Sequence, residues 1–299
     1  MNYTQLTDND VRHMVGVIGV ERVEELFRDI PASVWLDRPL CLPNPLNELE
    51  MLAELDRLAG ANHNCRELTC FLGAGIYDHY IPTVVDALAG QSEFVTAYTP
   101  YQAEASQGAL QAFYEYQTLI CQLTGMDVSN ASMYEGASAA AEAVLMARSI
   151  NGRRRVVLSA ALHPDVRAVL ATYARQLPIE LTVVGTAGGL TSPEDLRGAI
   201  NDETAAVVIQ TPNFFGHIER LDRLSAIAHE CGAIVIACVD PISCGLLRPP
   251  GRLGADIVVG DGQPLGIPMG FGGPTLGFMA CRQEYMRKMP GRLIGATAD

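Results

Sequence analysis

Residues 254–278 read GADIVVGDGQPLGIPMGFGGPTLGF, and the interpretation of the whole chain depends on this stretch. It begins with the apolar run 257–259, which predicts a buried strand. The loop that follows is rich in Gly and Pro, which allow backbone geometries and close approaches that other residues resist. So many of them directly after a strand indicate a surface over which a ligand or a partner's backbone passes.

Length, composition and charge limit the class of protein. A chain of 299 residues can form one large domain or two smaller ones, and a hydrophobic fraction of 48% provides a sizeable core. The formal charge of −13 argues against nucleic acid and anionic membranes as partners. The first residues lack the basic and apolar regions of a signal peptide, and no apolar run is long enough to span a membrane. We therefore expect a cytoplasmic protein.

The eight cysteines form no CxxC pair, and their apolar surroundings predict reduced thiols in the core of the protein. A second interpretation, a metal cluster of His63, Cys65, Cys70 and His79, stays open at this point. The spacing of these four residues matches no common zinc pattern, which favours the first interpretation.

Residues 1–60 are predicted to form an N-terminal helical arm. Thr7 with Asp10 marks one helix start, because a hydroxyl cap followed three residues later by a carboxylate is a capping signal. A second helix is predicted over 20–29, and leucines repeating at helical spacing up to Gly60 predict a third. The arm has apolar faces but little bulk, so it must pack on the main domain or on a partner.

The remainder, residues 61–299, alternates strands and helices. The predicted strands are 155–159, 180–184, 205–210, 233–239 and 256–259, with helices over 163–175, 193–200 and 220–230. Such alternation, with continuous apolar strands, predicts an α/β fold with a mostly parallel sheet covered by helices on both faces. Ligands in such sheets lie at the carboxyl ends of the strands. The side chains expected at that edge are Asn213, Phe214, Phe215, His217, Asp240, Ser243 and Gln263.

Two loops earlier in this domain carry aromatic residues. The first, FLGAGIYDHYIP over 71–82, lacks the third glycine of a dinucleotide fingerprint, so we expect no dinucleotide site there. In the second, Tyr98, Tyr101 and Gln102 flank a proline on a constrained segment. Aromatic rings and amides in that setting suit recognition of a small polar ligand or of a partner. The alternative is packing against the helix predicted over 103–124.

A helix rich in small residues is predicted to begin at Gly136. The exposed N–H groups at such a helix start can hold a phosphate. Glu135 comes directly before it, however, and its negative charge would repel a phosphate by the same electrostatics. We therefore interpret this place as a phosphate site that is inherited in geometry but unsuited in chemistry.

Five stretches together resemble one protein family: FLGAGIYDHYIP, AYTPYQAEASQGALQAFYEYQT, ASMYEGASAAAEAVLMA, QTPNFFGHIE and GADIVVGDGQPLGIPMGFGGP. They are similar to subunit 1 of glycine dehydrogenase (decarboxylating), the N-terminal half of the P-protein of the glycine cleavage system. The resemblance extends over essentially the whole chain and implies an aminotransferase-type large domain (pyridoxal-phosphate fold type I). Family members run on into a smaller C-terminal domain, so we expect this chain, which stops at Asp299, to be a truncated or cropped form.

The resemblance also implies a reaction. With pyridoxal phosphate, the P-protein binds glycine, releases carbon dioxide and passes the aminomethyl group to lipoamide on the H-protein. In the two-subunit form, the resemblance implies that only subunit 2 carries the lysine that binds the cofactor. In this chain the corresponding place reads Gly262, Gln263, Pro264, and the only lysine is Lys288. The implied cofactor is therefore held by the partner subunit and not covalently by this chain.

Site residues and partners follow from the same resemblance. Binding of substrate or of the partner's site is expected at Tyr98, Tyr101, Gln102, Asn213 and His217. Vestigial cofactor-site positions are expected at Glu135, Gly136, Asp240, Gln263 and Pro264, and neither catalytic residues nor metal ligands are expected on this chain. The implied partners are glycine dehydrogenase subunit 2 and the lipoylated H-protein, with the subunits in a heterotetramer of two copies each.

Two other functions stay open at this level: a free-standing enzyme with a non-covalently bound cofactor, and an interaction subunit with no part in the reacting site. Cofactor absorbance or turnover by the isolated chain would favour the first. Unchanged rates after substitution of Tyr98, Tyr101 and Gln102 in the assembled complex would favour the second.

Overall fold

A computed structural model describes residues 5–297 of the chain. The chain divides into two compact units, Met1–Leu68 and Thr69–Asp299. The described part of the first unit consists of helices joined by extended segments, whereas the second unit contains the β-sheet.

Helix α1 (Asp8–Ile18) starts where the sequence predicts a capping signal. The Thr7 hydroxyl accepts the backbone N–H of Asp10 at 3.3 Å, and the Asp10 carboxylate accepts the backbone N–H of Thr7 at 2.7 Å. Two backbone donors that a helix start would leave unpaired are thereby satisfied. Helix α2 (Glu48–Ala59) has the same arrangement, with Asn47 as its cap. The helices predicted at these two places are confirmed.

The helix predicted over 20–29 is wrong, because these residues contain only a 3-10 turn, Val23–Phe27. The residue before the turn, Arg22, makes no side-chain hydrogen bond that would satisfy the first N–H groups. Pro31 follows soon afterwards and cannot continue a helix. A segment this short without a cap does not overcome the cost of helix nucleation.

The first unit has almost no core of its own. Val15 is the one buried hydrophobic side chain in its described part, with 7% of its surface exposed. Other apolar side chains are open to solvent, among them Val17, Val34 and Leu42, which are 75%, 70% and 71% exposed. A unit of this size with so little buried surface is not stable alone, so its apolar side chains have to be covered.

The second unit is built on a seven-stranded sheet. Its strands are β1 (Val128–Ser129), β2 (Arg155–Ser159), β3 (Glu180–Val184), β6 (Thr204–Gln210), β7 (Ile234–Val239), β8 (Ile257–Asp261) and β9 (Gly277–Cys281), while β4 (Thr186–Ala187) and β5 (Leu190–Thr191) form a separate ribbon. The order across the sheet is β1-β9-β8-β7-β6-β2-β3. Strands β2, β3, β6, β7 and β8 are parallel to one another, and β9 pairs antiparallel with both β8 and β1.

Helices cover both faces of this sheet. The helices of the second unit are α3 (Thr83–Ala89), α4 (Ser92–Val95), α5 (Gln107–Thr124), α6 (Gly136–Asn151), α7 (Pro164–Ala174), α8 (Pro193–Ala199) and α9 (Leu221–Glu230). Side chains of α6 and α7 pack on one face, and side chains of α5, α8 and α9 pack on the other. The predicted α/β fold, a mostly parallel sheet between two layers of helices, is confirmed.

Small residues on α6 pack closely against the sheet. Ala139, Ala140 and Ala143 are 0% exposed against the strands. At the start of the helix, a Cβ atom on Gly136 would lie only 3.1 Å from the backbone nitrogen of Asp261. The run of small residues therefore serves close packing, and it also sets the helix start against the end of β8.

The sequence did not predict β9, which follows the long loop after β8. This loop turns the chain back, so β9 pairs antiparallel with β8 from Ile257 to Asp261. The start of α5 also differs from the prediction. The helix begins at Gln107 rather than at 103, because Gln102 and Ser106 form a separate turn in which the carbonyl of Gln102 accepts the N–H of Ser106 at 2.8 Å.

A buried carboxylate joins three elements at the amino edge of the sheet. Asp256 is 5% exposed, and its carboxylate accepts hydrogen bonds from His229 Nε2 at 2.8 Å, from Arg282 Nε at 3.0 Å and from the backbone N–H of Val235 at 2.8 Å. The hydrogen bond to Asp256 raises the pKa of His229, whereas burial and the charge of Arg282 act in the opposite direction. The pair is therefore strongest when His229 is protonated.

The His229→Gln substitution should destabilise the chain more at about pH 5.5 than at about pH 9. Since the pKa of His229 is raised in the folded state, the contribution of the pair is fully present below the unfolded value of about 6.5. It is lost as the pH rises through the folded-state pKa. Because His229 is 40% exposed, the difference in unfolding free energy should be about 0.5–1 kcal/mol. Urea unfolding at the two pH values measures it.

The same substitution in an Asp256→Asn background is the control for this prediction. Without the Asp256 carboxylate, His229→Gln should destabilise the chain equally at both pH values, because the pH dependence comes from the interaction between His229 and Asp256. Equal destabilisation by His229→Gln at both pH values in the wild-type background would contradict the prediction.

Candidate functional site

The loops after the parallel strands lie at the carboxyl edge of the sheet, where ligands bind in folds of this type. The residues expected there follow three of these strands: Asn213, Phe214, Phe215 and His217 follow β6, Asp240 and Ser243 follow β7, and Gln263 follows β8. Loop 71–82 reaches the same edge. The carbonyl of Ala74 binds Nε2 of His163, which follows β2, at 2.8 Å, and Tyr77 binds Gln263.

Gln263 stands where the resemblance places the cofactor-binding lysine, and it is buried with 2% exposed. Its side-chain NH₂ group donates to the carbonyl of Ile267 at 2.7 Å and to that of Tyr77 at 3.2 Å. Its side-chain oxygen accepts the backbone N–H of Tyr77 at 3.3 Å. All of this carboxamide's hydrogen bonds are thus made within the chain, and an amide nitrogen is no nucleophile. Pro264 follows in the same 3-10 turn, Gln263–Leu265.

The start of α6 is occupied by the chain's own carboxylates. One oxygen of Glu135 accepts the backbone N–H of Ala137 at 2.6 Å, and the other accepts that of Ser138 at 2.8 Å. The remaining N–H of the first turn, that of Gly136, donates to the carboxylate of Asp261 at 3.1 Å. Glu135 therefore does more than repel an anion: it is the anion bound at this helix start.

Pyridoxal phosphate, the cofactor that the resemblance implies, does not fit the residues at this edge. The N–H groups that would hold its phosphate are already bonded to Glu135 and Asp261. Each carboxylate a few ångströms from a phosphate would oppose binding by roughly 1–4 kcal/mol at surface-like dielectric. Gln263 cannot supply the amine that the cofactor needs. Lys288, the only lysine, is exposed and follows β9, which ends at the opposite edge of the sheet.

Asp240 is half-buried directly after β7. Its carboxylate accepts the backbone N–H of Ile242 at 3.0 Å, and its carbonyl accepts the hydroxyl of Ser243 at 2.6 Å. These two bonds close the turn after the strand, which gives Asp240 a structural task in this chain.

Glu219, which the sequence does not single out, is a carboxylate that is 4% exposed behind the loop after β6. It accepts the backbone N–H of Thr191 at 3.1 Å, the hydroxyl of Thr191 at 2.9 Å and the side-chain NH₂ of Asn213 at 2.8 Å. The hydroxyl of Thr191 also bonds to that of Ser159 at 2.7 Å. Glu219 closes the stretch QTPNFFGHIE, but a glutamate before a helix usually lies on the surface, so nothing in the sequence marks it as buried.

Asn213 belongs to the same network and is 4% exposed. Its side-chain NH₂ group also donates to the carbonyl of Gly189 at 2.8 Å, and its side-chain oxygen accepts the backbone N–H groups of Phe215 and His217 at 3.0 and 3.1 Å. The polar atoms of Asn213 are therefore used within the chain. The ring of His217 is exposed and lies against Gly189, where an added Cβ atom would come within 2.7 Å of it.

Tyr98 and Tyr101 differ sharply in their surroundings. Tyr98 is 100% exposed. Tyr101 stacks on Phe113 with ring centroids 6.3 Å apart, and the Arg292 guanidinium lies 4.0 Å from the centroid of the Tyr101 ring. This cation–π contact and the stacking anchor the loop on its own chain and leave the Tyr98 ring pointing outward.

Two hydrogen bonds to one backbone carbonyl hold the rest of this loop. The N–H of Gln102 donates to the carbonyl of Thr99 at 3.2 Å, and the hydroxyl of Ser106 donates to the same carbonyl at 3.2 Å. Helix α5 ends at Thr124, and the next residue, Gly125, lies beside Pro249, which precedes β8. Because the helix is about 27 Å long, the loop before its first residue reaches the carboxyl edge. Gln102 is exposed at this edge.

Large apolar side chains stand out into solvent along the carboxyl edge. Those that are at least 88% exposed in the described part of the chain are Phe71, Leu72, Tyr80, Tyr98, Tyr134, Leu246 and Phe271. Except for Leu246, which lies in the connection between β7 and β8, they come from loops at this edge of the sheet. Large apolar side chains exposed in this way are typical of a site of protein–protein contact.

The structure also describes the histidines and cysteines that the sequence singles out. Within residues 5–297, no group of three or more His, Cys, Asp or Glu side chains is arranged to hold a metal ion, which argues against the cluster of His63, Cys65, Cys70 and His79. The interpretation of the cysteines as core thiols is wrong for Cys41, Cys65 and Cys70, which are exposed. Burial raises the pKa of the Cys238 thiol to about 12. No helix in the described residues is long and apolar enough to cross a bilayer.

A family model and several named relatives match this chain over its whole length. The family described as "Glycine cleavage system P-protein" matches residues 1–299. The chain is 50% identical over 299 residues to the probable glycine dehydrogenase (decarboxylating) subunit 1 of Desulforamulus reducens, and 51% identical to that of Carboxydothermus hydrogenoformans. Each comparison covers 100% of this chain and 67% of the relative, so the chain spans about two thirds of their length.

Solved structures agree with this. A crystal structure of glycine decarboxylase (P-protein) of the glycine cleavage system, in inhibitor-bound form, matches with a TM-score of 0.88 and 47% identity over 100% of this chain and 67% of that one. A sphingosine-1-phosphate lyase from Burkholderia pseudomallei matches with a TM-score of 0.63 at 15% identity, over 86% of this chain and 64% of that one, which shows a shared fold.

The fold places the chain in a class of α/β proteins with a mostly parallel seven-stranded sheet between helices, shared with glycine decarboxylase (P-protein), and the carboxyl edge is closed here by side chains of the chain itself. Within that class, the chain belongs to the glycine cleavage system P-protein family.

Proposed function

We propose that this chain is subunit 1 of a two-subunit glycine dehydrogenase (decarboxylating) and supports a reacting site carried by subunit 2. The assembled enzyme binds glycine through pyridoxal phosphate, releases carbon dioxide and transfers the aminomethyl group to the lipoamide of the H-protein. One observation carries this proposal: Gln263, at the place of the lysine, is buried and bonded to Tyr77 and Ile267. A chain that uses this position to hold its own loops needs a partner to supply the amine.

The partner, the cofactor and the assembly belong to the same proposal. Relatives that are about half identical to this chain are named subunit 1, a name that implies a partner subunit. We place the pyridoxal phosphate on subunit 2, since the start of α6 in this chain is filled by Glu135 and Asp261. Two copies of each subunit form the enzyme, which works in the cytoplasm, and the lipoylated H-protein docks on the assembly.

The residues of this chain act on the partner's site through the carboxyl edge. Tyr98, fully exposed on an anchored loop, contacts the partner and orients the reacting groups. Tyr101 and Gln102 hold and flank it, and His217 lies exposed at the same edge. Asn213 contributes by shaping the loop after β6.

The glycine–bicarbonate exchange reaction tests this function. Full-length chain, subunit 2 and the mixture of both are each assayed with the lipoylated H-protein present. We expect exchange in the mixture and none with this chain alone, because the chain carries no amine at position 263. Exchange or a bound cofactor chromophore in this chain alone would favour the free-standing enzyme. Exchange by subunit 2 alone at the full rate of the mixture would contradict the proposal.

A further inference from the structure

We infer that Gln263 is a positioning residue that presents loop 71–82 to subunit 2 in a prepared shape. This inference rests on the proposed function and concerns the same edge of the sheet. The position that would carry the lysine in a cofactor-binding chain is used here to build a contact surface for the partner.

The side chain of Gln263 binds the loop in the manner of another backbone segment. Its oxygen accepts the N–H of Tyr77 at 3.3 Å, and its NH₂ group donates to the carbonyl of Tyr77 at 3.2 Å. The second proton of that NH₂ group goes to the carbonyl of Ile267 at 2.7 Å. A carboxamide can accept once and donate twice in this way, whereas neither a carboxylate nor an apolar side chain of the same size can.

A second contact holds the loop at Ala74, three residues before Tyr77. The carbonyl of Ala74 accepts a hydrogen bond from Nε2 of His163 at 2.8 Å. Since Nδ1 of His163 accepts the backbone N–H of Asp165 at 3.0 Å, the ring proton lies on Nε2 and points at the loop. Ala74 has φ of 60°, a left-handed conformation that a residue with a side chain seldom adopts. The contacts with Gln263 and His163 thus hold a backbone that would otherwise relax.

The apolar side chains of the loop point the other way. Phe71, Leu72 and Tyr80 are 93%, 88% and 88% exposed. A loop usually folds by burying such side chains and leaving its polar backbone in water, but here the backbone is held from within and the apolar groups are presented outward. Because they share the edge with Tyr98, the partner that covers them is the one that we propose for Tyr98, subunit 2.

Gln263→Leu and Gln263→Glu in the full-length chain test the inference by two measurements. Hydrogen–deuterium exchange of the free chain should be about tenfold faster in the peptide covering 71–82, with the strands β6 and β7 unchanged, because the bonds to Tyr77 are lost. The concentration of subunit 2 that gives half-maximal glycine–bicarbonate exchange should rise about tenfold. The rate of that reaction at saturating subunit 2 should stay within about twofold of wild type.

A matched control is Gln176, an exposed glutamine between α7 and β3 at the opposite edge. Gln176→Leu and Gln176→Glu make the same chemical changes and should alter neither measurement. A general loss of stability in the Gln263 variants would speed hydrogen–deuterium exchange in the strands as well. Faster exchange in the loop alone therefore separates positioning from a purely structural effect.

Surface variants keep the inference testable where the Gln263 variants fail to fold. Phe71→Ser and Tyr80→Ser remove exposed rings, so the chain should fold as before and should need about tenfold more subunit 2. If hydrogen–deuterium exchange of loop 71–82 is unchanged in folded Gln263 variants, the positioning role is overturned. An unchanged requirement for subunit 2 in the loop variants would overturn this loop as the contact. Failure of the wild-type chains to assemble would overturn the proposed function and this inference with it.

Discussion

Deletion of residues 1–45 should abolish assembly of this chain with subunit 2 at micromolar concentrations, while leaving the second unit folded. The described part of the arm exposes Val17, Val34 and Leu42 by 75%, 70% and 71%, and buries one apolar side chain, Val15. Covering three side chains of this size contributes roughly 1.5–3 kcal/mol each, so their loss should weaken assembly at least about 100-fold. Sedimentation velocity of the mixed subunits measures it.

Two further variants separate the apolar surface from the length of the arm. Combined substitution of Val17, Val34 and Leu42 by Ser keeps the arm but removes its exposed apolar surface, so it should still weaken assembly strongly. The chain itself should fold as before, because these side chains are already exposed. Substitution of Glu21 and Asp29 by Ser changes exposed charges of the same arm and should leave assembly close to wild type. If the shortened chain sediments with subunit 2 as the wild type does, the arm is no part of the interface.

Tyr98→Ala should lower turnover of the assembled enzyme about 100-fold and leave assembly unchanged. Tyr98 is 100% exposed in this chain, so its removal costs the chain no folding energy. A group that orients reacting atoms in a neighbouring site can cost about 100-fold in rate when it is displaced by about 1 Å. One side chain is a small part of an interface between subunits, which exceeds about 2,000 Å² in lasting complexes.

The measurement for Tyr98 is the exchange rate at saturating subunit 2, alongside sedimentation. Tyr98→Phe shows whether the hydroxyl or the ring carries the effect. Tyr114→Ala, which removes a partly exposed tyrosine from α5, is the matched control and should keep the wild-type rate. Substitution of Tyr101 should act differently from substitution of Tyr98, because loss of its contacts with Phe113 and Arg292 loosens the loop. Full activity of Tyr98→Ala would mean that the chain supports its partner without reaching the reacting groups.

Local patterns in the sequence determined the kind of fold. The runs 205–209 and 234–239 are continuously apolar, and strands of this type are typical of a parallel sheet that is covered by helices on both faces. The capping signal at Thr7 determined a helix start, since both partners lie within one turn of each other. The missing lysine at Gln263 was also readable directly from the chain.

Only the tertiary structure decided which polar groups meet at the site. Gly136 and Asp261 are 125 residues apart, and Tyr77 and Gln263 are 186 residues apart, yet both pairs are hydrogen-bonded. The burial of Glu219 likewise depends on donors that distant segments bring to it. Periodicity and caps act over a few residues and therefore appear in the sequence, whereas partners of this kind are chosen by packing. For the same reason, the gathering of exposed aromatic side chains at one edge became visible only in the folded chain.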